Sequence, residues 1–365
     1  MMPGNALKKG WSYKERFIRA LRREPIDRVP VPAFCSHPLI GLMGRAGVTP
    51  SGIHDRLNEM VSFSLSAMEV LGFEGVRLPT DGVVEAEALG CRVTPGEAGK
   101  NPSVVDHPYS LEKRESRGDF LQKGRIPLVL EAVRMVRTKV ADDVPVTSHF
   151  MGPATLASHL LGSDRFFMGL IDQPEETKRF LLFVSRHCIE IANALGRSGA
   201  DVLQMPDPMA SSDVISPTMF EAFVLPCYRE IFTSVACPVA LHICGNSKSI
   251  LPHLKGSGAI GFSFDAKVPV SEVRKVLGGE IALVGNISTT ETLLTGTRQE
   301  VRNEALRAIR DGIHVLPQLR VRPCHTLREC EGNDFRRQAG GKGVSRSDRE
   351  GHGSSPAIKG FEMVE

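Results

Sequence analysis

Val239-Ala-Leu-His-Ile-Cys-Gly-Asn246 is a short apolar run that ends in polar residues and a glycine. Runs of this kind recur along the chain, at Val29–Phe34, Gly75–Pro79, Val144–Phe150, Val202–Met205, Pro238–Ile243, Ile260–Phe264, Ile281–Gly285 and Ile313–Leu316. Amphipathic stretches lie between them, at Ser12–Arg23, Pro50–Leu71, Leu128–Val140, Pro174–Ser198, Ser216–Ala236 and Arg298–Asp311. Strands that alternate with helical patterns predict a parallel α/β fold. Eight of them, mostly joined by helical crossovers, favour a closed (β/α)8 TIM barrel over an open sheet. Ala86–Ile126 is too long for a simple loop and reads as an excursion with small strands of its own.

The 365 residues are 41% hydrophobic and 24% charged, the balance of a globular chain. The net charge of +3 is spread along the chain, which speaks against nucleic acid as a partner. No apolar run reaches the roughly 18 residues that cross a bilayer. The opening residues, MMPGNALKKGWSYKERF, lack the apolar core of a signal peptide, so a cytoplasmic location is expected. The eight cysteines show no pairing framework and read as buried thiols, any exception being a metal ligand or nucleophile.

In a barrel of this type the chemistry gathers at the C-terminal ends of the strands. The polar residues there are Thr80 and Asp81, His149, Asp207, His242 with Cys244, Asp265, and Asn286. Each also suits a turn or a helix cap, and their recurrence at one end carries more than any one of them. Asp81 and Asp207 are the catalytic candidates, and Asn286 is the cofactor-binding candidate. His242 and Cys244 are two residues apart on a strand, so they project from one face. An imidazole and a thiolate are the ligand pair that zinc prefers. On spacing alone, a buried cysteine beside a hydrogen-bonded histidine explains the pair better, because two ligands do not make a zinc site.

His242-Ile-Cys-Gly-Asn246 resembles the corresponding segment of methylcobamide:coenzyme M methyltransferases, a branch of the uroporphyrinogen decarboxylase superfamily. The resemblance extends through Glu15-Arg-Phe-Ile-Arg-Ala-Leu21, Pro25-Ile-Asp-Arg-Val-Pro30, Gly72-Phe-Glu-Gly-Val-Arg77, Glu85-Ala-Glu-Ala-Leu-Gly-Cys91, Asn101-Pro-Ser-Val-Val-Asp-His-Pro108, Met151-Gly-Pro153 and Val284-Gly-Asn286. It implies a barrel of the uroporphyrinogen decarboxylase type with zinc on His242 and Cys244. It further implies a methylcorrinoid donor carried by a separate corrinoid protein, and a small thiol such as coenzyme M as acceptor. In this scheme zinc lowers the thiol pKa and presents a thiolate to the methyl group. The decarboxylase branch is the alternative, with Asp81 near the place where decarboxylases keep a catalytic aspartate. Those enzymes carry an Arg-Gln-Ala-Gly-Arg stretch that grips substrate carboxylates, whereas Phe34–Gly44 here has no arginine. An inactive remnant of the methyltransferase is the third reading.

The family pattern breaks after Pro317. The third zinc ligand that the resemblance implies is a cysteine in a Cys-Gly segment, but the chain reads Gln318-Leu-Arg-Val-Arg-Pro-Cys-His-Thr-Leu-Arg-Glu-Cys330. One synonymous codon choice for Gln318–Phe335, read with its first base dropped, encodes Ser-Cys-Gly-Phe-Ala-Pro. A frameshift near residue 317 therefore divides the chain into a barrel at 1–317 and an aberrant tail at 318–365. The tail lacks hydrophobic periodicity and is expected to carry little regular structure.

Overall fold

The fold is taken from a computed structural model, which describes residues 10–34, 40–79, 81–98, 100–112, 114 and 118–316. Thr80 and the 318–365 tail lie outside the described residues. Six parallel strands pair in sequence order: β1 (Val76–Leu78), β2 (Val146–His149), β3 (Val202–Pro206), β4 (Val239–Ile243), β5 (Gly261–Phe264) and β6 (Ala282–Val284). Eight hydrogen-bonded strands were expected, and two of those runs take another form. Val29–Phe34 contains Pro30 and Pro32, which have no N–H to give, so it cannot build a regular ladder. It closes the ring through its carbonyls instead. Pro30 accepts from Leu316 N–H at 3.1 Å, Val31 from Glu74 N–H at 3.1 Å, and Ala33 from the Thr147 hydroxyl. The last stave meets β6 in a single bridge, Val315 beside Val284, with Val315 N–H donating to the Leu283 carbonyl at 3.3 Å and Gly285 N–H to the Val315 carbonyl at 3.2 Å. The barrel is thus six strands plus two irregular staves.

The helices follow the sequence patterns, with breaks that have local causes. The helix α1 (Tyr13–Leu21) starts where the Ser12 hydroxyl accepts from Glu15 N–H at 3.1 Å. It packs Phe17, Ala20 and Leu21 against Phe34, Val202, Ala240, Ala282, Val284 and Val315. That helix closes the floor of the barrel. The expected Pro50–Leu71 helix is divided by extended backbone at Arg56, and α2 (Leu57–Leu71) ends on Gly72 at φ +70°. Three further helices matter for the site: α3 (Val84–Ala88), α4 (Ile126–Lys139) and α5 (Pro153–Leu161).

The long helix α6 (Pro174–Arg197) begins on proline, carries Glu175 and Glu176 in its first turn, and buries Phe180, Leu181, Val184, Cys188, Ile191 and Leu195 at helical spacing. The Ser216–Ala236 stretch widens to a π-helical turn at Phe220–Val224 before α7 (Leu225–Ser234). Pro226 there cannot donate its helical hydrogen bond, which accounts for the widening. In the 86–126 excursion, Val93 pairs with Val104 and Glu97 with Lys100, both antiparallel, as expected of small strands.

Candidate active site at the barrel mouth

The parity of β4 sends Ala240 and His242 into the barrel, since Ala240 packs with the floor cluster. His242 Nε2 lies 2.9 Å from Cys244 Sγ, and His242 Nδ1 lies 2.9 Å from the Ser263 hydroxyl on β5. His242 and Ser263 are register partners, so the sheet itself aligns them. With Nδ1–H donating to Ser263, the Nε2 lone pair faces the sulfur. Gly245, at φ +77°, turns the chain away at once, and any Cβ there would meet Asp213 Oδ2 at 2.5 Å. The loop is tied down by Gly245 N–H to Asp265 and Asn246 N–H to Asp213.

This pair fits two corners of a zinc tetrahedron. Zn–N near 2.0 Å and Zn–S near 2.3 Å place such ligands about 3.5 Å apart, so the pair would open by roughly 0.6 Å. The fixed Nδ1 partner is the support that metal-binding histidines need. Among the described residues no group of three His, Cys, Asp or Glu side chains could hold a metal ion. The described residues therefore bring together two of the ligands that such a site would need, and no third.

The carboxylates of Asp81 and Asp207 do not bond to the pair, although Asp207 N–H donates to the His242 carbonyl at 2.8 Å; each carboxylate sits in its own buried clamp. Arg125 donates to Asp81 from Nη1 at 2.8 Å and Nη2 at 3.2 Å, His54 Nδ1 lies at 2.9 Å, and Val83 N–H at 3.1 Å. Burial works to raise the Asp81 pKa, but His54 and Arg125 outweigh it and hold the carboxylate well below its usual range. Arg125 also pairs with Glu87 at 2.6 Å, joining β1, α3 and α4. Asp207 is fully buried after β3 and accepts from Ala154 N–H at 3.2 Å, Thr155 N–H at 2.7 Å, the Thr155 hydroxyl at 2.7 Å and the Tyr228 hydroxyl at 2.9 Å. It caps the first turn of α5 from outside that helix. Burial raises its pKa against those four donors. Gly152 makes room for it, since a Cβ would lie 2.4 Å from the Asp207 Cβ. Asn286 stands at the mouth after β6 and donates from Nδ2 to the Val268 carbonyl at 2.9 Å, bracing the loop beyond β5.

Beneath the mouth the barrel interior is polar; strand-end reasoning named His149 there but missed Arg77 and Gln204. Arg77, His149 and Gln204 share the inward parity of Val202, their registers being Arg77 with Thr147 and His149 with Gln204. Arg77 donates from Nη1 to the Phe34 carbonyl at 2.6 Å. His149 Nε2 lies 2.9 Å from the Asp81 carbonyl, which can only accept, so Nε2 carries the proton. Nδ1 of His149 and Nε2 of Gln204 are buried with no hydrogen-bond partner among the described residues. Burial, then the charge of Arg77, depress the His149 pKa to about 3. Glu85 on α3 accepts from Met151 N–H at 3.1 Å, and burial raises its pKa to about 7. Alternation of β-strand side chains could have exposed Arg77 and Gln204 in the sequence; nothing in the sequence marked the partners of Asp81. A cavity of about 510 Å³ lies at the opposite end, where Arg23, Cys237, Val239 and Glu280 line the starts of β4 to β6, away from this chemistry.

The uroporphyrinogen decarboxylase (URO-D) family pattern matches residues 12–317. The chain is 36% identical over 309 residues to a methylcobamide:CoM methyltransferase of Methanosarcina barkeri, covering 84% of this chain and 91% of that protein. It is 30% identical over 311 residues to a second methylcobamide:CoM methyltransferase, of Methanosarcina acetivorans, covering 84% and 91%. A solved methyltransferase from Methanosarcina mazei superposes with a TM-score of 0.84 at 35% identity, covering 90% of this chain and 98% of that one. No helix among the described residues is long and apolar enough to cross a membrane.

Proposed function

Because the chain belongs to the uroporphyrinogen decarboxylase family, we propose that it transfers the methyl group of a methylated corrinoid to a thiol, with coenzyme M as the acceptor and zinc as the resident metal. The observation that carries this reading is the convergence of His242 and Cys244 at the barrel mouth in a chain whose relatives bear that activity in their names. His242 Nε2 and Cys244 Sγ would hold the metal. When bound, zinc supplies the positive charge that keeps the acceptor sulfur a thiolate at neutral pH.

The chain's own residues set the geometry of that step. Ser263 fixes the imidazole, Gly245 lets the backbone turn beside the pair, and the clamps on Asp81 and Asp207 hold the strand ends that frame the mouth. A corrinoid carried by a separate protein approaches from the open end. The acceptor sulfur bonds to the methyl carbon from below as the carbon–cobalt bond breaks, both electrons of that bond staying with cobalt. The thiol proton leaves to solvent.

Residues 318–365 belong to a shifted reading frame in this proposal, which the end of the family match at residue 317 supports. The chain as written then keeps two ligands, so it binds zinc weakly and transfers methyl groups slowly. The test is elemental analysis paired with the absorbance change as methylcobalamin loses its methyl group. Restoring the frame should raise zinc toward one per chain and bring thiol methylation with it, and Cys244→Ala should abolish both. Stoichiometric zinc in the unrepaired chain would refute the incomplete site; a repaired chain that binds none would refute the site itself.

A further inference from the structure

We propose that His314 is an acid-sensitive latch on the barrel seam: its neutral imidazole ties the last stave to β6, and protonation of the ring releases that tie. The proposal does not depend on the methyl-transfer reading. The tie replaces a missing rung. In a parallel ladder the hydrogen bonds recur at every second residue along each strand. At the bridge of Val284 with Val315, Val315 N–H donates to the Leu283 carbonyl and Gly285 N–H to the Val315 carbonyl. The next rung down would run from Leu283 N–H to the Ile313 carbonyl. Instead Leu283 N–H donates to Nδ1 of His314 at 3.1 Å, while His314 N–H donates to the Leu283 carbonyl at 2.9 Å. One residue of the stave thus holds both backbone polar groups of one residue of β6. A carbonyl in that place would hold at any pH, whereas an imidazole holds only while neutral, with its proton on Nε2. Once protonated, Nδ1–H faces Leu283 N–H, donor against donor, and the amide of a fully buried residue loses its partner.

The surroundings set the pH at which the latch lets go. Burial, then the charge of Arg23, then that of Arg274 lower the His314 pKa from its ordinary 6.5. Arg23 follows α1 and stands at a left-handed φ of +59°, a conformation that side chains other than glycine adopt at a cost. Arg274, on α8 (Val270–Leu277), donates from Nη1 to the Asp311 carbonyl at 3.3 Å. A Cβ at Gly312 would run into its guanidinium, so Arg274 lies against the turn that starts the stave. Both cations resist protonation of the ring. The three residues of β6 carry no titratable group, and Asp311, on the approach to the stave, is exposed to solvent. Because the folded-state value lies below the unfolded one, the tie is complete above pH 6.5 and is lost as pH falls through the lower value. What it controls is closure of the ring, since the same stave bonds Leu316 N–H to the Pro30 carbonyl at 3.1 Å. The seam therefore loosens locally in acid while the six strands stay paired.

Hydrogen exchange of the Leu283 amide in the full-length chain reads the tie directly. After correction for the intrinsic pH dependence of exchange, its protection should fall about tenfold or more between pH 7.5 and pH 4.5, the loss of one buried hydrogen bond. Amides of β3 and β4 should keep theirs; an equal fall there would make the loosening global and overturn the proposal. His314→Asn places an amide oxygen near the position of Nδ1 that accepts at every pH, so it should abolish the fall at Leu283. His314→Ala removes the acceptor and should give low protection already at pH 7.5. Leu283 protection that ignores pH in the parent, or that falls equally in His314→Asn, would overturn the latch. A readout on the parent alone guards against variants that fold poorly. Nitrogen chemical shifts of the His314 ring should show Nδ1 bare and Nε2 protonated at pH 7.5, and a proton on Nδ1 at that pH would overturn it as well.

Discussion

Arg125→Met removes the cation from the Asp81 clamp while keeping most of the side-chain volume. Asp81 has four polar contacts, and Arg125 provides two of them and the one permanent positive charge. Hydrogen bonds to a charged group are worth about 1.5–3 kcal/mol each, so two give about 3–6 kcal/mol, and breaking a buried ion pair costs about 3–5 kcal/mol. The guanidinium is only 13% exposed, so solvent screening discounts this little. The expected loss is therefore about 3–5 kcal/mol, read as a fall in the urea midpoint at pH 8. In the parent, the folded-state pKa of Asp81 lies below its ordinary 3.8. Its stabilisation is thus complete above that value and is lost only as pH falls through the lower folded value. In the variant, burial is opposed by less, the Asp81 pKa rises, and the penalty eases as pH falls from 8 to 5. The gap between parent and variant should therefore narrow over that range. Asp81→Asn added to Arg125→Met should recover part of the loss, because no carboxylate is then left uncompensated. A loss under about 1 kcal/mol, or a gap that stays constant with pH, would refute the view that Arg125 neutralises Asp81.

The other expectations are narrower. Glu85 has its folded pKa raised by burial from 4.5 to about 7, so its contribution to stability is complete below 4.5 and fades as pH rises through 7. Glu85→Gln should accordingly stabilise the fold relative to the parent at pH 8.5 by on the order of 3 kcal/mol, read from the urea midpoint, with little effect at pH 4.5; equal changes at both pH values would contradict this. Ser263→Ala leaves His242 Nδ1 without its 2.9 Å partner and should weaken metal binding in the frame-restored protein about 10- to 100-fold, measured by chelator competition. Asp207→Ala strips four donors of their acceptor at the start of α5, and a melting temperature within a degree of the parent would show that the clamp does not stabilise the barrel.

How far the sequence reached depended on which physical signal each element leaves. Regularly paired strands show in β-branched runs, and six of the eight expected runs pair as a ladder. Val29–Phe34 has the same composition, yet Pro30 and Pro32 remove donors, so that stave closes the ring mainly through its carbonyls, with Val31 N–H donating to the Glu74 carboxylate. Short helices such as α3 and α5 escaped notice because five and nine residues give little periodicity. For the site, alternation along one strand was enough to place His242 beside Cys244, and the 2.9 Å contact agrees. Asp81 and Asp207 were legible as strand ends but not as clamped groups, since, Val83 N–H aside, the partners of their side chains come from positions 21 to 53 residues away in sequence. No local pattern encodes such distant partners. The polar interior is the instructive case. A barrel strand shows its inward residues by parity, so Arg77, His149 and Gln204 stood in the sequence as polar letters at core positions. Polar groups at core positions are tolerated where function uses them. The two atoms without a hydrogen-bond partner among the described residues, His149 Nδ1 and Gln204 Nε2, lie on neighbouring strands one step below His242 and Cys244, so the polar character of the mouth continues into the barrel.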